Sequence, residues 1–217
     1  MLADPCPPAA EIRPLEDSLQ RQTNSAAASG PNAAPGYSQR IATTTYGFPS
    51  LPHWCVWIDP DPTPADRWSR RWRLGVESAL RQWSALVPIT VVSERNQAQI
   101  QIVRQRPPRR RVDGRWRASN GRSMLQLALL SRAGVQRREP LVKVLVSPEL
   151  RAEVLEATAL HELGHALGLW GHSDDPLDAL AVHQGATPVL QPSARDQATL
   201  QWVRGFDNRF GPMPIPE

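Results

Sequence analysis

The chain has 217 residues, of which 41% are hydrophobic and 21% are charged, and these proportions are ordinary for a globular protein with a packed core. The formal net charge is +4, which is too small to indicate nucleic-acid binding on its own. No apolar run approaches the roughly 20 residues that a transmembrane helix requires, so the sequence predicts no membrane span.

The N-terminal segment, residues 1–48, is rich in Pro, Ala, Ser, Asn and Gln and lacks periodicity. It is therefore predicted to be a flexible N-terminal extension or a pro-segment, with a linker at 25–36. A short helix over Glu11 to Gln22 is compatible with the pattern. No basic stretch followed by an apolar one is visible, so no signal peptide is predicted. The two cysteines, Cys6 and Cys55, either form one disulfide or are both free thiols, and the sequence leaves this open.

Residues 49–217 are predicted to form one globular domain, which begins with an alternating, β-prone strand from His53 to Ile58. A capping motif at Thr63 to Asp66 then predicts the start of a helix. Apolar residues at steps of three or four predict its core face: Trp68, Trp72, Val76, Leu80, Trp83 and Val87. Two further strands are predicted at Ile89–Val92 and Ala98–Val103.

The second half of the domain begins with a basic segment at 104–117 that contains seven arginines. No nucleic-acid-binding module accompanies them, so a solvated loop or long hairpin connection is predicted. An edge strand follows at Ser123–Leu130, and the β-branched run Leu141–Val146 predicts a buried strand. Ser147–Glu149 is predicted to cap the next helix, and a capping box at Ser193–Asp196 opens a C-terminal helix.

The stretch HELGHALGLWGHSD lies on the helix that follows the buried strand. His161 and His165 stand four residues apart, which places both imidazoles on one helix face where they can share a metal ion. Glu162 points to a neighbouring sector, from which it can hold a water without being a ligand. Gly168 then offers a helix stop, and His172 supplies a third candidate ligand. This HExxH arrangement predicts a zinc site.

The stretch resembles the metzincin signature HExxHxxGxxH, and its local sequence is most similar to that of matrixin-type peptidases. The resemblance implies that His161, His165 and His172 bind Zn²⁺ and leave a fourth position for water. It also implies that Glu162 is the general base. The chain departs from the signature at one place, because Gly171 stands where the third histidine is expected and the histidine follows one residue later.

Other residues of the same loop leave the third ligand open, since Asp174, Asp175 and His183 are also candidates. A gluzincin site, which needs a downstream glutamate ligand, is excluded because only Glu217 follows the motif. Metzincins also carry a methionine beneath the zinc, and here Leu180 stands at the matching position. Leucine and methionine have similar volumes, so a hydrophobic base can be retained.

The resemblance implies an α/β (α+β) fold of the metzincin-like zincin type: a twisted mixed sheet with a backing helix, an active-site helix and a small C-terminal subdomain with one helix. The upper subdomain would span 49–168 and the lower one 169–211. The predicted edge strand at Ser123–Leu130 would pair with extended substrate. In matrixins a pro-peptide cysteine thiolate occupies the zinc, so Cys6 is a candidate for that role.

The resemblance therefore implies a zinc-dependent metalloendopeptidase with one catalytic Zn²⁺, acting as a monomer on protein or peptide substrates and in a secreted or extracytoplasmic location. Structural Ca²⁺ has no support in the sequence, and neither a nucleic acid nor a membrane is an expected partner. The alternative is a catalytically weakened zinc-binding relative that serves as a binding module, which Leu180 and the late His172 favour. The arginines of 104–117 could bias a protease toward acidic substrates.

Overall fold

The computed structural model describes residues 4–21, 35–60, 66–183 and 185–214. Nine strands are found in these residues: β1 (Ala9–Pro14), β2 (Trp54–Ile58), β3 (Ile89–Val92), β4 (Ile100–Arg104), β5 (Arg110–Val112), β6 (Arg115–Arg117), β7 (Gly121–Arg132), β8 (Val135–Val146) and β9 (Gly211–Pro212). Three α-helices are found there too: α1 (Arg67–Ser84), α2 (Ala152–Ala166) and α3 (Ala194–Arg204).

A seven-stranded mixed sheet organises the molecule, with the strand order β1-β7-β8-β4-β2-β3 and β9 paired to β8. The pairs β2–β3, β2–β4 and β4–β8 are parallel, whereas β7 pairs antiparallel with both β8 and β1. The predicted mixed α/β class is therefore confirmed. None of the described helices combines the length and apolar character that a membrane crossing requires.

The helices α1 and α2 pack together, and tryptophans of α1 fix their position. The indole of Trp83 donates to the carbonyl of Leu160 in α2 at 2.9 Å, and that of Trp72 donates to the carbonyl of Val146 at the end of β8 at 3.1 Å. Both indoles are buried, so each needs such a partner. Trp68, predicted in the core stripe, is instead 43% exposed.

Two of the three helix starts differ from the predicted ones. Helix α1 begins at Arg67 because the side chain of Asp66 accepts a hydrogen bond from the backbone N–H of Trp68, and the predicted N-cap Thr63 lies outside the described residues. The residue before α2 is Arg151, which makes no side-chain cap, so the predicted cap at Ser147–Glu149 is wrong. Helix α3 does open with the predicted box of Ser193 and Asp196.

The described parts of the N-terminal segment are packed on the sheet. The predicted short helix over Glu11 to Gln22 is wrong, because Ala9–Pro14 forms the edge strand β1 against β7. Cys6 and Cys55 form a disulfide. Residues 22–34, which hold most of the predicted linker, lie outside the described residues. The placement of the domain start at residue 49 stays a prediction.

Strand β7 begins beside helix α2 and, with 12 residues, is longer than predicted. Only its second half is flanked by β1, from Ala128 to Arg132, with one further hydrogen bond from the N–H of Leu15 to the carbonyl of Leu127. Among the described residues, the outer edge of 121–126 has no strand partner. The free edge thus lies beside α2.

The arginine-rich segment forms a β-hairpin, which is one of the two predicted alternatives. Strands β5 and β6 pair antiparallel, and the turn between them holds Asp113 and Gly114 at φ values of 50° and 76°. Two consecutive positive φ values are typical of a tight hairpin turn, for which an Asp-Gly pair is favoured. The hairpin lies near the start of β7, where the side chain of Arg122 donates to the carbonyl of Pro108 at 2.8 Å.

Removing the disulfide should destabilise the fold. The bond joins residues 49 positions apart, so its loss releases a long loop in the unfolded chain, and the variant Cys6→Ala/Cys55→Ala should lose about 2–5 kcal/mol of unfolding free energy. Urea unfolding with and without a thiol reductant measures this. Reductant should lower the stability of the wild type but leave the double variant unchanged; equal wild-type stability in both conditions would contradict the prediction.

Candidate metal centre

The helix α2 brings the two histidines of the motif together as their spacing predicts. The Nε2 atoms of His161 and His165 are 3.2 Å apart. His165 is buried and His161 partly so, and both rings line one cavity.

A Schellman motif ends α2 and directs the chain toward the third histidine. Gly168 has φ +117° and donates to the carbonyl of His165, while the next N–H, that of Leu169, donates to the carbonyl of Gly164. These two bonds and the left-handed glycine define this helix end. Gly168 therefore stops the helix, as predicted.

Two tight turns then accommodate the one residue by which this chain exceeds the signature. Trp170 N–H donates to the carbonyl of Gly168 at 3.0 Å, and Gly171 N–H donates to that of Leu169 at 2.9 Å, which is the hydrogen-bond pattern of consecutive γ-turns. The Nε2 atom of His172 then lies 3.2 Å from that of His165. The shifted histidine thus reaches the same cluster.

Backbone carbonyls determine which ring nitrogen carries the proton. The Nδ1 atoms of His161 and His165 lie 2.8 Å from the carbonyl oxygen of Ala179 and 2.6 Å from that of Leu169. Because a carbonyl only accepts, each Nδ1 must carry the hydrogen and each Nε2 must present a lone pair. Metal-ligating histidines are oriented in this way by a hydrogen bond on the other nitrogen.

Desolvation favours the neutral form of the three imidazoles, most strongly for the two on α2, since His172 as a whole residue is exposed. It lowers the pKa of His161 to about 4, with the neighbouring His172 contributing. Burial also lowers the pKa of His165 well below its ordinary value and lowers that of His172. A neutral imidazole is the form that binds a metal.

The donor set fits Zn²⁺. Three neutral Nε2 atoms converge, all within 4.8 Å of one another. Tetrahedral zinc with Zn–N bonds of about 2.0–2.1 Å requires nitrogens about 3.3 Å apart, close to the 3.2 Å of two of the pairs. Three protein nitrogens with an open side toward a cavity are typical of catalytic zinc sites.

The carboxylate of Glu162 lines the same cavity and is held by Ser123 of β7. The Ser123 hydroxyl lies 2.7 Å from Oε2 and 2.9 Å from the backbone carbonyl oxygen of the glutamate. Burial raises the pKa of Glu162 to about 7, opposed by the serine and by Arg122 and Arg110. A Cβ at Gly121 would lie 2.6 Å from Cγ of Glu162, so only glycine leaves room for this side chain.

Leu180, at the position of the expected methionine, packs against the turn of α2 that carries the two histidines. It is fully buried, and a Cβ on Gly164 would lie only 2.5 Å from its Cδ2 atom and 3.0 Å from the indole of Trp83. Gly164 lies between the two helical histidines in the sequence. The leucine is therefore packed directly against the ligand-bearing turn of α2.

A buried carboxylate holds the loop that orients His161. Asp196 accepts from the hydroxyl of Tyr37 at 2.6 Å and from the backbone N–H groups of Ala179 at 2.8 Å and Leu180 at 3.4 Å. The sequence predicted Asp196 only as part of a helix cap, and neither its role here nor that of Ser123 has a local signal. Both contacts join residues distant in sequence.

The rival ligands lie outside the cluster. Asp174 pairs with Arg40 at 2.9 Å and with Arg195 at 3.1 Å, and Asp175 also pairs with Arg195. His183 is exposed and is not among the grouped ligand atoms. The structure therefore brings His172 to the helical pair and leaves these three apart.

Cys6 cannot serve as a thiolate ligand, because its sulfur is bonded to that of Cys55. The disulfide lies beside His53, whose Nδ1 is 4.0 Å from the Cys55 sulfur. The role of Cys6 as a zinc-blocking pro-peptide residue is thus wrong for this disulfide-bonded form. The cysteine instead ties the N-terminal segment to strand β2.

A cavity of about 680 Å³ opens in front of the cluster. Its walls come from α2, the start of β7, the hairpin and the N-terminal segment.

No protein-family model matches the chain, and a search of curated proteins found no match either.

Because Gly164 packs closely on Leu180, substitutions at these two positions should change the unfolding free energy in a non-additive way. Gly164→Ala should lower the unfolding free energy by about 1–3 kcal/mol through overpacking. Adding Leu180→Ala opens the space, so the double variant should lose less than the sum of the single variants. Urea unfolding followed by tryptophan fluorescence measures all four proteins. Gly185→Ala, whose Cβ would meet nothing nearer than 4.0 Å, is the control, and strictly additive losses would refute the contact.

Proposed function

We propose that this protein is a zinc-dependent metalloendopeptidase of the matrixin-like metzincin type. The observation that carries the proposal is the convergence of three Nε2 atoms, with spacings of 3.2 Å from His165 to His161 and to His172, on a cavity that the carboxylate of Glu162 also lines. Three imidazoles would hold the ion, and the glutamate stands beside it as a base. This combination of groups serves metal-assisted hydrolysis of amides.

Each residue has a chemical task in the proposed reaction. Bound Zn²⁺ would supply a Lewis acid that polarises the peptide carbonyl and acidifies water. Ser123 lies within hydrogen-bond distance of Oε2 of Glu162 and orients the carboxylate, which would take the proton of the attacking water. Glu162 then passes this proton to the leaving amine. Burial raises its pKa, which makes the carboxylate a stronger base than an exposed glutamate.

The free edge of β7 would hold the peptide. The backbone of 121–126 has no strand partner on its outer side within the described residues, and it runs past Ser123 and Glu162. An extended peptide can add to such an edge through main-chain hydrogen bonds, which act largely independently of sequence. A protein or peptide substrate, bound along its length, therefore suits this cleft better than a compact small molecule.

The metzincin-like fold is part of the proposal. A parallel sheet core ending in the antiparallel β7–β8 pair, a backing helix α1 and a ligand-bearing helix α2 support it. The disulfide supports an oxidising, extracytoplasmic location, because disulfides persist in such compartments. The protein is proposed to act as a monomer.

The alternative is a zinc-binding module with weakened catalysis, and one observation favours it. Neither tyrosine of the chain lines the cavity, so no phenol is available there to stabilise an oxyanion; Tyr37 is instead buried against Asp196. Turnover, and not metal binding, separates the two functions.

Metal content tests the third ligand. His172→Ala should weaken zinc binding by more than the roughly 10–100-fold that loss of a ligand's hydrogen-bonding partner costs, because one of the three donors is removed. His183→Ala, an exposed histidine of the same loop, is the matched control and should bind zinc normally. Competition with a chromogenic chelator measures both affinities. Equal zinc affinity of His172→Ala and the wild type would exclude His172 as a ligand.

Replacement of the base tests catalysis. Glu162→Gln should lower kcat for a quenched peptide library by about 10²–10⁴-fold while zinc stays bound, because the general base is lost but the ligands remain. Glu153→Gln, an exposed glutamate of the same helix, should leave kcat unchanged. Cleavage by the wild type that a chelator does not abolish would contradict the mechanism. Zinc binding without any cleavage would favour the binding module.

A further inference from the structure

Arginines surround the cavity in front of the histidines. Four of them line it: Arg21, Arg40, Arg110 and Arg122. Among the residues that the structure describes, Glu162 is the only one in the lining with an acidic side chain. Arg40 is paired with Asp174, but the other three form no ion pair with a carboxylate among the described residues. The cavity therefore carries an excess of positive charge.

Arg122 is only partly satisfied in this environment. One of its terminal nitrogens donates to the carbonyl of Pro108 at 2.8 Å. Its Nε atom is buried and has no hydrogen-bond partner in the described part of the chain, and the same holds for the hydroxyl of Ser119 in the same lining. Buried donors without a partner are costly, and the described residues leave part of the hydrogen-bonding capacity of Arg122 and Ser119 unused.

Arg110 adds a second cation beside the first. Burial and the charge of Arg110 lower the pKa of Arg122, and the charge of Glu162 opposes them. Arg110, Arg122 and Glu162 line the same cavity. Two neighbouring guanidiniums without a carboxylate partner form a site that favours an anion, and a planar carboxylate matches the guanidinium fork.

We propose that Arg110 and Arg122 bind a carboxylate of the peptide substrate and thereby select acidic peptides. Arg122 directly precedes Ser123, the residue that holds Glu162, so the bound carboxylate lies close to the scissile bond. The carboxylate belongs to an aspartate or glutamate side chain or to the peptide's C-terminus. The catalytic consequence rests on the proposed peptidase function, whereas the binding preference does not.

Peptide binding to the uncleaving variant Glu162→Gln tests the proposal. Fluorescently labelled peptides that differ only in one central Glu or Gln, each amidated at the C-terminus, are compared by anisotropy. The Glu peptide should bind about tenfold more tightly, the gain expected from a charge-assisted pair. A Gln peptide with a free C-terminus is the second arm, and a preference there identifies the terminal carboxylate as the source.

Arginine variants in the same background locate the site. Arg122→Gln, or Arg110→Gln should the first variant not fold, should abolish the preference. Arg109→Gln makes the same change of charge at an exposed residue of the hairpin region that does not line the cavity, and it should keep the preference. Raising the salt from about 0.1 to 1 M should weaken it, since exposed charges are then screened over about 3 Å.

Failure of this proposal is distinct from failure of the peptidase function. Equal binding of all peptides, or a preference that survives both Arg122→Gln and Arg110→Gln, overturns the carboxylate site. If the wild type cleaves acidic and neutral peptides with equal kcat/KM, the site is likewise overturned while the peptidase function stands. If it cleaves none but the arginine-dependent preference persists, the peptidase function fails and the carboxylate site stands.

Discussion

Two backbone carbonyls determine what the histidine cluster can do. The carbonyl oxygens of Ala179 and Leu169 take the Nδ1 hydrogens of His161 and His165, and this leaves lone pairs on Nε2 atoms that face one another. Lone pairs at 3.2 Å repel, so such an arrangement forms only where the surrounding backbone imposes it. A structural histidine pair would place a donor against an acceptor. Here the hydrogen bonds to the backbone instead leave two Nε2 lone pairs that one cation can accept.

The position of the Ala179 carbonyl depends on the buried carboxylate of Asp196, which is 17 residues away in the sequence. Asp196 holds the backbone N–H groups of Ala179 and Leu180 and accepts from Tyr37, so the loop beneath His161 is fixed by helix α3. A fully buried carboxylate is costly unless several donors satisfy it, and here four donors do so. The C-terminal helix thus helps to position His161 through the loop at Ala179.

The features that the sequence predicted correctly depend on residues close to one another in the chain. The four-residue spacing of His161 and His165, the stop at Gly168 and the buried strand at Leu141–Val146 all follow from patterns within a few residues. Ser123 could not be predicted as the partner of Glu162, because their contact joins a strand and a helix 39 residues apart. Strand β1 was missed because the N-terminal segment around it is rich in Pro and Ala, a composition typical of linkers, and because the conformation of β1 is set by pairing with β7.

The position of the third histidine is linked to the packing of the N-terminal segment against the loop that carries it. Two consecutive γ-turns have little intrinsic stability, so the turn that delivers His172 needs external support. The segment at 35–48 supplies it: the N–H of Ala42 donates to the carbonyl of Trp170 at 2.8 Å, and the carbonyl oxygen of Arg40 lies 2.2 Å from where a Cβ of Gly171 would be. The third histidine of the signature would fall at residue 171, where that backbone leaves no room for a side chain. The one-residue shift therefore follows from the way the N-terminal segment lies against the loop.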